Sequence, residues 1–173
     1  MWSWFTFFLL LHILTAIAAF GPTFAFPVIA KFAKQDPKNA HLATEIIHTI
    51  HMRVTIPAAV VMPFLGLALI YLGHFDLWKS EWLVIGIGLY IVAFFFSVLF
   101  LRPNEIKMLR MLERMPGPPS GTGTAPIAGA GGPPPELLAQ GRRLDLGGML
   151  ITLLLTAIIV LMVWRPGSCQ GIC

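Results

Sequence analysis

The segment Trp82–Leu101 reads WLVIGIGLYIVAFFFSVLFL and contains no charged side chain. An α-helix rises about 1.5 Å per residue, so the segment is about 30 Å long, which matches the hydrocarbon thickness of a bilayer. A span in lipid has to satisfy its own backbone polar groups, and a helix does so within one segment. The stretch therefore predicts a transmembrane helix.

Three further apolar runs are long enough to span a bilayer: Trp4–Ile29, Val54–Leu72 and Leu146–Trp164. The chain of 173 residues is 57% hydrophobic and only 12% charged, with a mean hydropathy of +0.79. Soluble domains carry about 25% charged residues, so the composition favours a membrane protein. The sequence predicts an all-α fold, a bundle of four transmembrane helices without a separate soluble domain.

The start of the chain has features of a signal peptide, with an apolar run from Phe5 to Thr15 and Ala16-Ile17-Ala18 after it. However, no positively charged region precedes this run, and the apolar character continues to Ile29. We therefore expect an uncleaved first transmembrane helix.

Basic residues are distributed unevenly between the two sides of the predicted bundle. Ten flank the first and third connections: Lys31, Lys34, Lys38, Arg53, Arg102, Lys107, Arg110, Arg114, Arg142 and Arg143. Only Lys79 and Arg165 fall on the opposite side. The positive-inside rule then predicts a multi-pass protein of the cell (inner) membrane, with both termini outside and the long connections in the cytoplasm. The basic charge indicates contact with anionic lipid headgroups and argues against nucleic acid as a partner.

The five tryptophans mark the side with few basic residues: Trp2, Trp4, Trp78, Trp82 and Trp164. Tryptophan concentrates at membrane–water interfaces, where its ring is partly apolar and partly wet. All five are predicted to lie at one interface, which agrees with the topology.

Prolines and glycines divide the chain. Residues 116–135 contain 13 Pro or Gly among 20 and predict a flexible linker between a core of residues 1–115 and a last segment of residues 136–173. Gly21-Pro22 and Pro27 predict a kink or an early end of the first helix, and Asp36-Pro37 predicts the start of the second. Arg102-Pro103 predicts the end of the third span, with Asn104 capping a short amphipathic helix from Glu105 to Met115.

The two cysteines, Cys169 and Cys173, both lie in the tail that is predicted to face outside. They are close enough in sequence to close a small disulfide loop in an oxidising compartment. A frayed tail without a disulfide is the alternative.

His12 is an ionisable residue in the middle of the first span, where such a group is expensive and marks a candidate functional site. Thr15, Ala16, Ala19 and Thr23 follow it at helical spacing and form a row of small residues that suits a tight helix interface. His12 is therefore predicted to face another helix. The simpler interpretation is a neutral imidazole bonded to a hydroxyl or carbonyl; the alternative is a haem b ligand or another cofactor contact.

His48 and His51 are the obvious candidates for a second haem ligand, but they lie at the other end of the bundle. His12 is predicted about 14 Å from the outer surface and His51 about 30 Å from it. Two axial ligands of one haem must lie at one level, so ligation of a haem by His12 together with either residue is not expected.

A second cluster contains His41, Glu45, His48 and His51, within about a 120° arc of one helix face. Glu45 and His48 have the spacing with which a helix provides two ligands to a metal. A metal site formed by Glu45, His48 and His51 is therefore one hypothesis. The alternative is the solvated side of an amphipathic helix.

Rows of small residues also occur on the later helices. Gly86, Ala93 and Ser97 form one in the third span, and Ala58, Met62 and Gly66 another in the second. The third row contains Gly148, Thr152 and Thr156. We expect packing within the bundle for these rows, with docking of another membrane subunit as the alternative.

The first helix carries two short motifs, LHIL at residues 11–14 and FGPTF at residues 20–24. With these motifs the chain resembles the integral membrane family called domain of unknown function 2269, and more distantly the copper-resistance D and HemJ-type membrane proteins. The resemblance implies a four-helix bundle, and it offers His12 and Gly21 as positions to carry over. It implies no established reaction, and haem association in HemJ-like relatives adds weight to haem at His12.

Three classes of function are compatible with these features. The leading hypothesis is a non-enzymatic accessory or structural subunit of a membrane complex. The alternatives are a haem- or metal-binding redox protein and a small oligomeric channel or transporter. No acidic or basic residue lies inside a predicted span, with Arg53 at the edge, which disfavours ion-coupled transport by the chain alone.

Overall fold

The computed structural model describes residues 3–35, 37–114 and 134–166. Within these ranges it confirms the all-helical fold, with four helical segments long and apolar enough to cross a membrane. The helices are α1 (Trp4–Gln35), α2 (Pro37–Ile50), α3 (Ile56–Leu72), α4 (Glu81–Phe96), α5 (Arg102–Glu113) and α6 (Pro135–Trp164). Most of the linker and both cysteines lie outside the described residues, as do Trp2 and Asp36.

Two of the long segments contain a π-helical turn. His51–Thr55 connects α2 to α3, and Ser97–Leu101 connects α4 to α5. A π-helical turn holds an additional residue within a helix and is frequent at functional sites. Each pair of α-helices therefore forms one continuous rod.

The rod formed by α4, the second π-helical turn and α5, which we call the third rod, continues past Arg102-Pro103, so the predicted start of a separate helix at this point is wrong. Asn104 does not cap a helix; its amide donates to the carbonyl oxygen of Phe100 at 2.6 Å, one turn earlier. Pro103 lies in the first turn after the π-helical turn, a place where its missing N–H is tolerated. Of the predicted kink or early end of the first helix, the early end is wrong, because α1 runs through Pro22 and Pro27 to Gln35, whereas the kink stays a prediction.

The core of the bundle lies where α1, α3, α4 and α6 meet. Its buried members are Ala19, Phe20, Met62, Ala93, Leu101, Ile151, Leu155 and Ile158. The rows of small residues on α1, α3 and α4 contribute to it, as expected. Most other apolar side chains are exposed, which is the pattern of a bundle whose outer surface meets lipid.

On α6 the predicted packing row lies only partly inside the bundle. Within the apolar part of α6 the buried positions are Gly147, Ile151, Leu155 and Ile158, whereas Thr156 is exposed and a Cβ added at Gly148 would meet no atom within 4 Å. A Cβ at Gly147 would come within 2.8 Å of Leu101 Cδ2, so the absence of a side chain there lets α6 approach the second π-helical turn. The Gly148 row thus lies at the border between the core and the outer surface, with Gly148 and Thr152 half-buried and Thr156 exposed.

Aromatic contacts hold one end of the bundle together. The ring of Phe5 lies 6.5 Å from that of Phe75, which contacts Trp82 edge to face at 6.3 Å, and the guanidinium of Arg165 lies 5.3 Å from the Trp82 ring. The start of α1, the connection between α3 and α4, and the end of α6 therefore lie together at what we call the tryptophan end. The opposite, basic end carries α2, α5 and the start of α6.

A proline in α3 leaves a backbone carbonyl oxygen without its usual donor, and a side chain of α4 donates to that oxygen instead. Pro63 has no N–H to donate to the carbonyl oxygen of Ala59, four residues earlier. The hydroxyl of Tyr90 on α4 donates to that oxygen. Because an unpaired carbonyl is costly in lipid, this bond ties α3 to α4 near the middle of the bundle.

Candidate functional site

A buried carboxylate at the basic end joins two histidines from another helix. Glu105 on α5 is 5% exposed; its Oε2 lies 3.1 Å from His48 Nδ1, and its Oε1 lies 2.7 Å from His51 Nδ1. His48 and His51 are one turn apart, so both rings can reach the same carboxylate. The side chain of His48 is about a quarter exposed, whereas that of His51 is almost fully buried.

The second ring nitrogen of His51 connects the cluster to Ser97. The distance between His51 Nε2 and Ser97 Oγ is 2.8 Å. His51 is the first residue of one π-helical turn, and Ser97 is the first residue of the other. The contact therefore joins the two π-helical turns directly. We call the four residues His48, His51, Ser97 and Glu105 the His–Glu cluster.

The hydrogen bonds restrict where protons lie in the His–Glu cluster. An ionised carboxylate only accepts hydrogen bonds, so both histidines donate from Nδ1 to an ionised Glu105. In neutral His51 the Nε2 atom is then an acceptor, and the Ser97 hydroxyl donates to it. Both carboxylate oxygens and both His51 nitrogens thus have partners within the protein. Among the described residues, the cluster uses its polar groups chiefly to connect α2 and the first π-helical turn to α5 and the second π-helical turn.

Glu105 is the member of the His–Glu cluster that the sequence does not predict, because the sequence places it in a separate amphipathic helix. A usable signal was present in the row of Gly86, Ala93 and Ser97. Continued through Leu101 along an unbroken helix, this row reaches Glu105. The predicted break at Pro103 concealed it.

The other half of the predicted metal cluster lies apart from Glu105. Glu45 Oε2 is 3.7 Å from His41 Nδ1, and both side chains are about half exposed. In the described parts of the chain, no group of three or more His, Cys, Asp or Glu side chains is arranged to hold a metal ion. Metal binding by Glu45, His48 and His51 stays a prediction that no observation tests.

His12 packs against α3, far from the His–Glu cluster. Its Cε1 atom lies 3.7 Å from the position of a Cβ added at Gly66. Gly66 is fifteen residues beyond His51 on the same rod, or about 22 Å. This separation agrees with the prediction that His12 and His51 lie at different levels.

The hydrogen bond that was expected for His12 is missing at one nitrogen. Its Nδ1 atom is buried and has no partner among the described residues. The row of small residues behind His12 is buried as predicted, with Ala19 and Thr23 inside the bundle. Gly21, the other position offered by the resemblance, is exposed, and a Cβ there would meet no atom within 4 Å.

Comparison with known proteins identifies the family. Residues 6–166 match a family described as a predicted integral membrane protein, the domain of unknown function 2269. Neither the search of curated proteins nor that of solved structures found a match. The more distant resemblance to copper-resistance D and HemJ-type proteins stays unconfirmed. Because the match covers most of the chain, this protein belongs to the integral membrane family of domain of unknown function 2269.

Proposed function

We propose that the chain is a non-enzymatic accessory or structural subunit of a larger membrane complex. The observation that carries this proposal is a row on α6 at the border of the core, in which Gly148 and Thr152 are half-buried and Thr156 is exposed. The Thr152 hydroxyl donates to the Gly148 carbonyl, and the Thr156 hydroxyl donates to the Thr152 carbonyl, each at 2.8 Å. The row is therefore narrow and already satisfied in hydrogen bonding, a surface that another transmembrane helix can approach closely.

The His–Glu cluster supports a structural role for the most buried polar groups. Catalytic groups need a free atom that is directed at a substrate. Here Glu105 and His51 bond to groups of the protein itself, and they connect two rods at the basic end. The cluster fits a fixed contact between helices better than a site of chemical turnover.

A photo-crosslinking side chain at Thr156, in native membranes, tests the proposal. We expect a crosslink to another protein from Thr156 and none from Val84, a lipid-exposed control position on α4. Gly148→Leu should abolish the Thr156 crosslink, and we expect the bundle to stay folded because a Cβ at this position would meet no atom within 4 Å. A lone stable monomer after purification in mild detergent, without a crosslink from Thr156, would contradict the proposal.

We infer that the basic end faces the cytoplasm of the cell that makes the protein, in its inner membrane. The imbalance of Lys and Arg between the two ends supports this orientation. Single cysteines at Trp78 and Glu113, with Cys169 and Cys173 replaced by serine, test it with a membrane-impermeant thiol reagent. In intact cells freed of any outer membrane, only the cysteine at position 78 should be labelled. Labelling only at position 113 would reverse the orientation.

A second candidate function is a haem or metal protein that uses His12. The observation that favours it is the buried His12 Nδ1 without a hydrogen-bond partner among the described residues, since an ionisable side chain inside a span marks a candidate functional site. Bound haem would supply redox chemistry, and His12 would hold it. Absorption spectroscopy and metal analysis of the purified protein test this function. A Soret band that His12→Ala abolishes would support it, and a sample without a Soret band or stoichiometric metal would exclude it.

A further inference from the structure

A groove on the outer surface of the third rod lies at the boundary between the membrane span and the basic end. Its volume is about 270 Å³, and Val98, Leu99, Arg102, Pro103 and Ile106 line it. Val98 and Leu99 belong to the second π-helical turn, and the other three residues belong to α5. The groove thus forms where the helix is irregular and where Pro103 presents a ring without an N–H.

The groove changes in chemistry along its length. From Val98 to Ile106 it extends over about 12 Å along the rod. Val98 and Leu99 lie within the apolar stretch that ends at Leu101, whereas Arg102 is the first charged residue after it. One end therefore meets hydrocarbon, and the other meets the headgroup region.

The charges around the headgroup end favour an anion. Arg102 lines the groove, and Lys107 and Arg110 are exposed on the same helix. Glu105, although next to these residues in sequence, is buried on the side of the rod that faces α2. Basic sites at the cytoplasmic border of a span bind the headgroups of anionic lipids.

We propose that this groove binds one anionic phospholipid. An acyl chain lies along Val98, Leu99 and Pro103, and the phosphate accepts hydrogen bonds from the Arg102 guanidinium. Arginine suits this role because its planar donors match the oxygens of a phosphate. The site depends only on the protein spanning a membrane and not on its role in a complex.

Native mass spectrometry of the full chain in detergent, with one lipid added at a time, tests the proposal. We expect retention of one phosphatidylglycerol and little phosphatidylcholine. Arg102→Gln should weaken phosphatidylglycerol binding about fivefold, the value for one basic side chain at a membrane surface. Arg143→Gln is the matched control, since it removes the same charge from an exposed residue of α6 outside the groove.

A second variant tests the acyl-chain part of the site. Leu99→Phe adds volume at a residue that is 70% exposed, so it should fill the groove without unfolding the bundle, and it should also weaken binding. Glycerol 3-phosphate, which has a phosphate but no acyl chain, should not displace the lipid. Equal binding of the two lipids, equal effects of Arg102→Gln and Arg143→Gln, or displacement by glycerol 3-phosphate would each overturn the proposal.

Discussion

Replacing Glu105 by glutamine tests the His–Glu cluster with the smallest change in shape. Glutamine has almost the same volume as glutamate, but it carries one acceptor oxygen and one NH2 group. One of the two histidines can keep its bond to the side chain, whereas the other faces a donor. The change therefore removes the charge and one of the two contacts of Glu105, which measure 3.1 Å to His48 of α2 and 2.7 Å to His51 of the first π-helical turn.

The expected loss is about 2–3 kcal/mol in the free energy of unfolding. A hydrogen bond to a charged group contributes about 1.5–3 kcal/mol, and removal of one partner from a buried pair costs about 3–5 kcal/mol. The lower part of these ranges applies, because glutamine retains one acceptor and His48 is partly exposed. The exposed pair of Glu45 and His41 provides the control: Glu45→Gln should change stability by less than about 0.5 kcal/mol.

Unfolding of the purified protein in mixed micelles, followed by circular dichroism, measures both variants. A third variant, Ser97→Ala, should cost about 1 kcal/mol because it removes the partner of His51 Nε2. Combined with Glu105→Gln, its effect should be less than additive, since both substitutions act through His51. Equal stabilities of the Glu105→Gln and Glu45→Gln variants would refute the assignment of the cluster as the main polar connection at the basic end.

Two further substitutions test the packing of the bundle by the same unfolding measurement. Gly147→Ala should destabilise by about 1–3 kcal/mol, because its Cβ would come within 2.8 Å of Leu101 Cδ2, whereas Gly148→Ala should be tolerated; similar losses for both would contradict the assigned core face of α6. Tyr90→Phe should cost about 1 kcal/mol, because it leaves the Ala59 carbonyl without its donor, and an unchanged stability would show that this bond contributes nothing.

Sequence reasoning placed residues correctly where a single physical requirement determines their position in the bundle. The row of Gly86, Ala93 and Ser97 faces the bundle, because small residues at helical spacing are what a close helix contact needs. The separation of His12 from His51 followed from the constant rise of a helix.

Sequence reasoning misplaced residues where the local sequence allows two different structures equally well. Gly147 and Gly148 are adjacent and differ by 100° around α6, so either glycine could mark the face that packs closely against another helix. The core takes Gly147, because Leu101 and Phe100 occupy the space next to it. Pro103 is similarly ambiguous in sequence, since a proline can end a helix or follow a π-helical turn within one.

The sequence by itself determined that this protein is a four-helix membrane protein, and it determined which segments cross the bilayer. It did so because lipid allows a lone span only as an apolar helix of sufficient length. The tertiary structure alone decided which face of each helix is buried and which polar groups meet. Glu105 lies 57 residues from His48 and 54 from His51, so no local pattern can reveal their contact. The Glu105 carboxylate is buried because the fold places α5 beside α2 and the first π-helical turn.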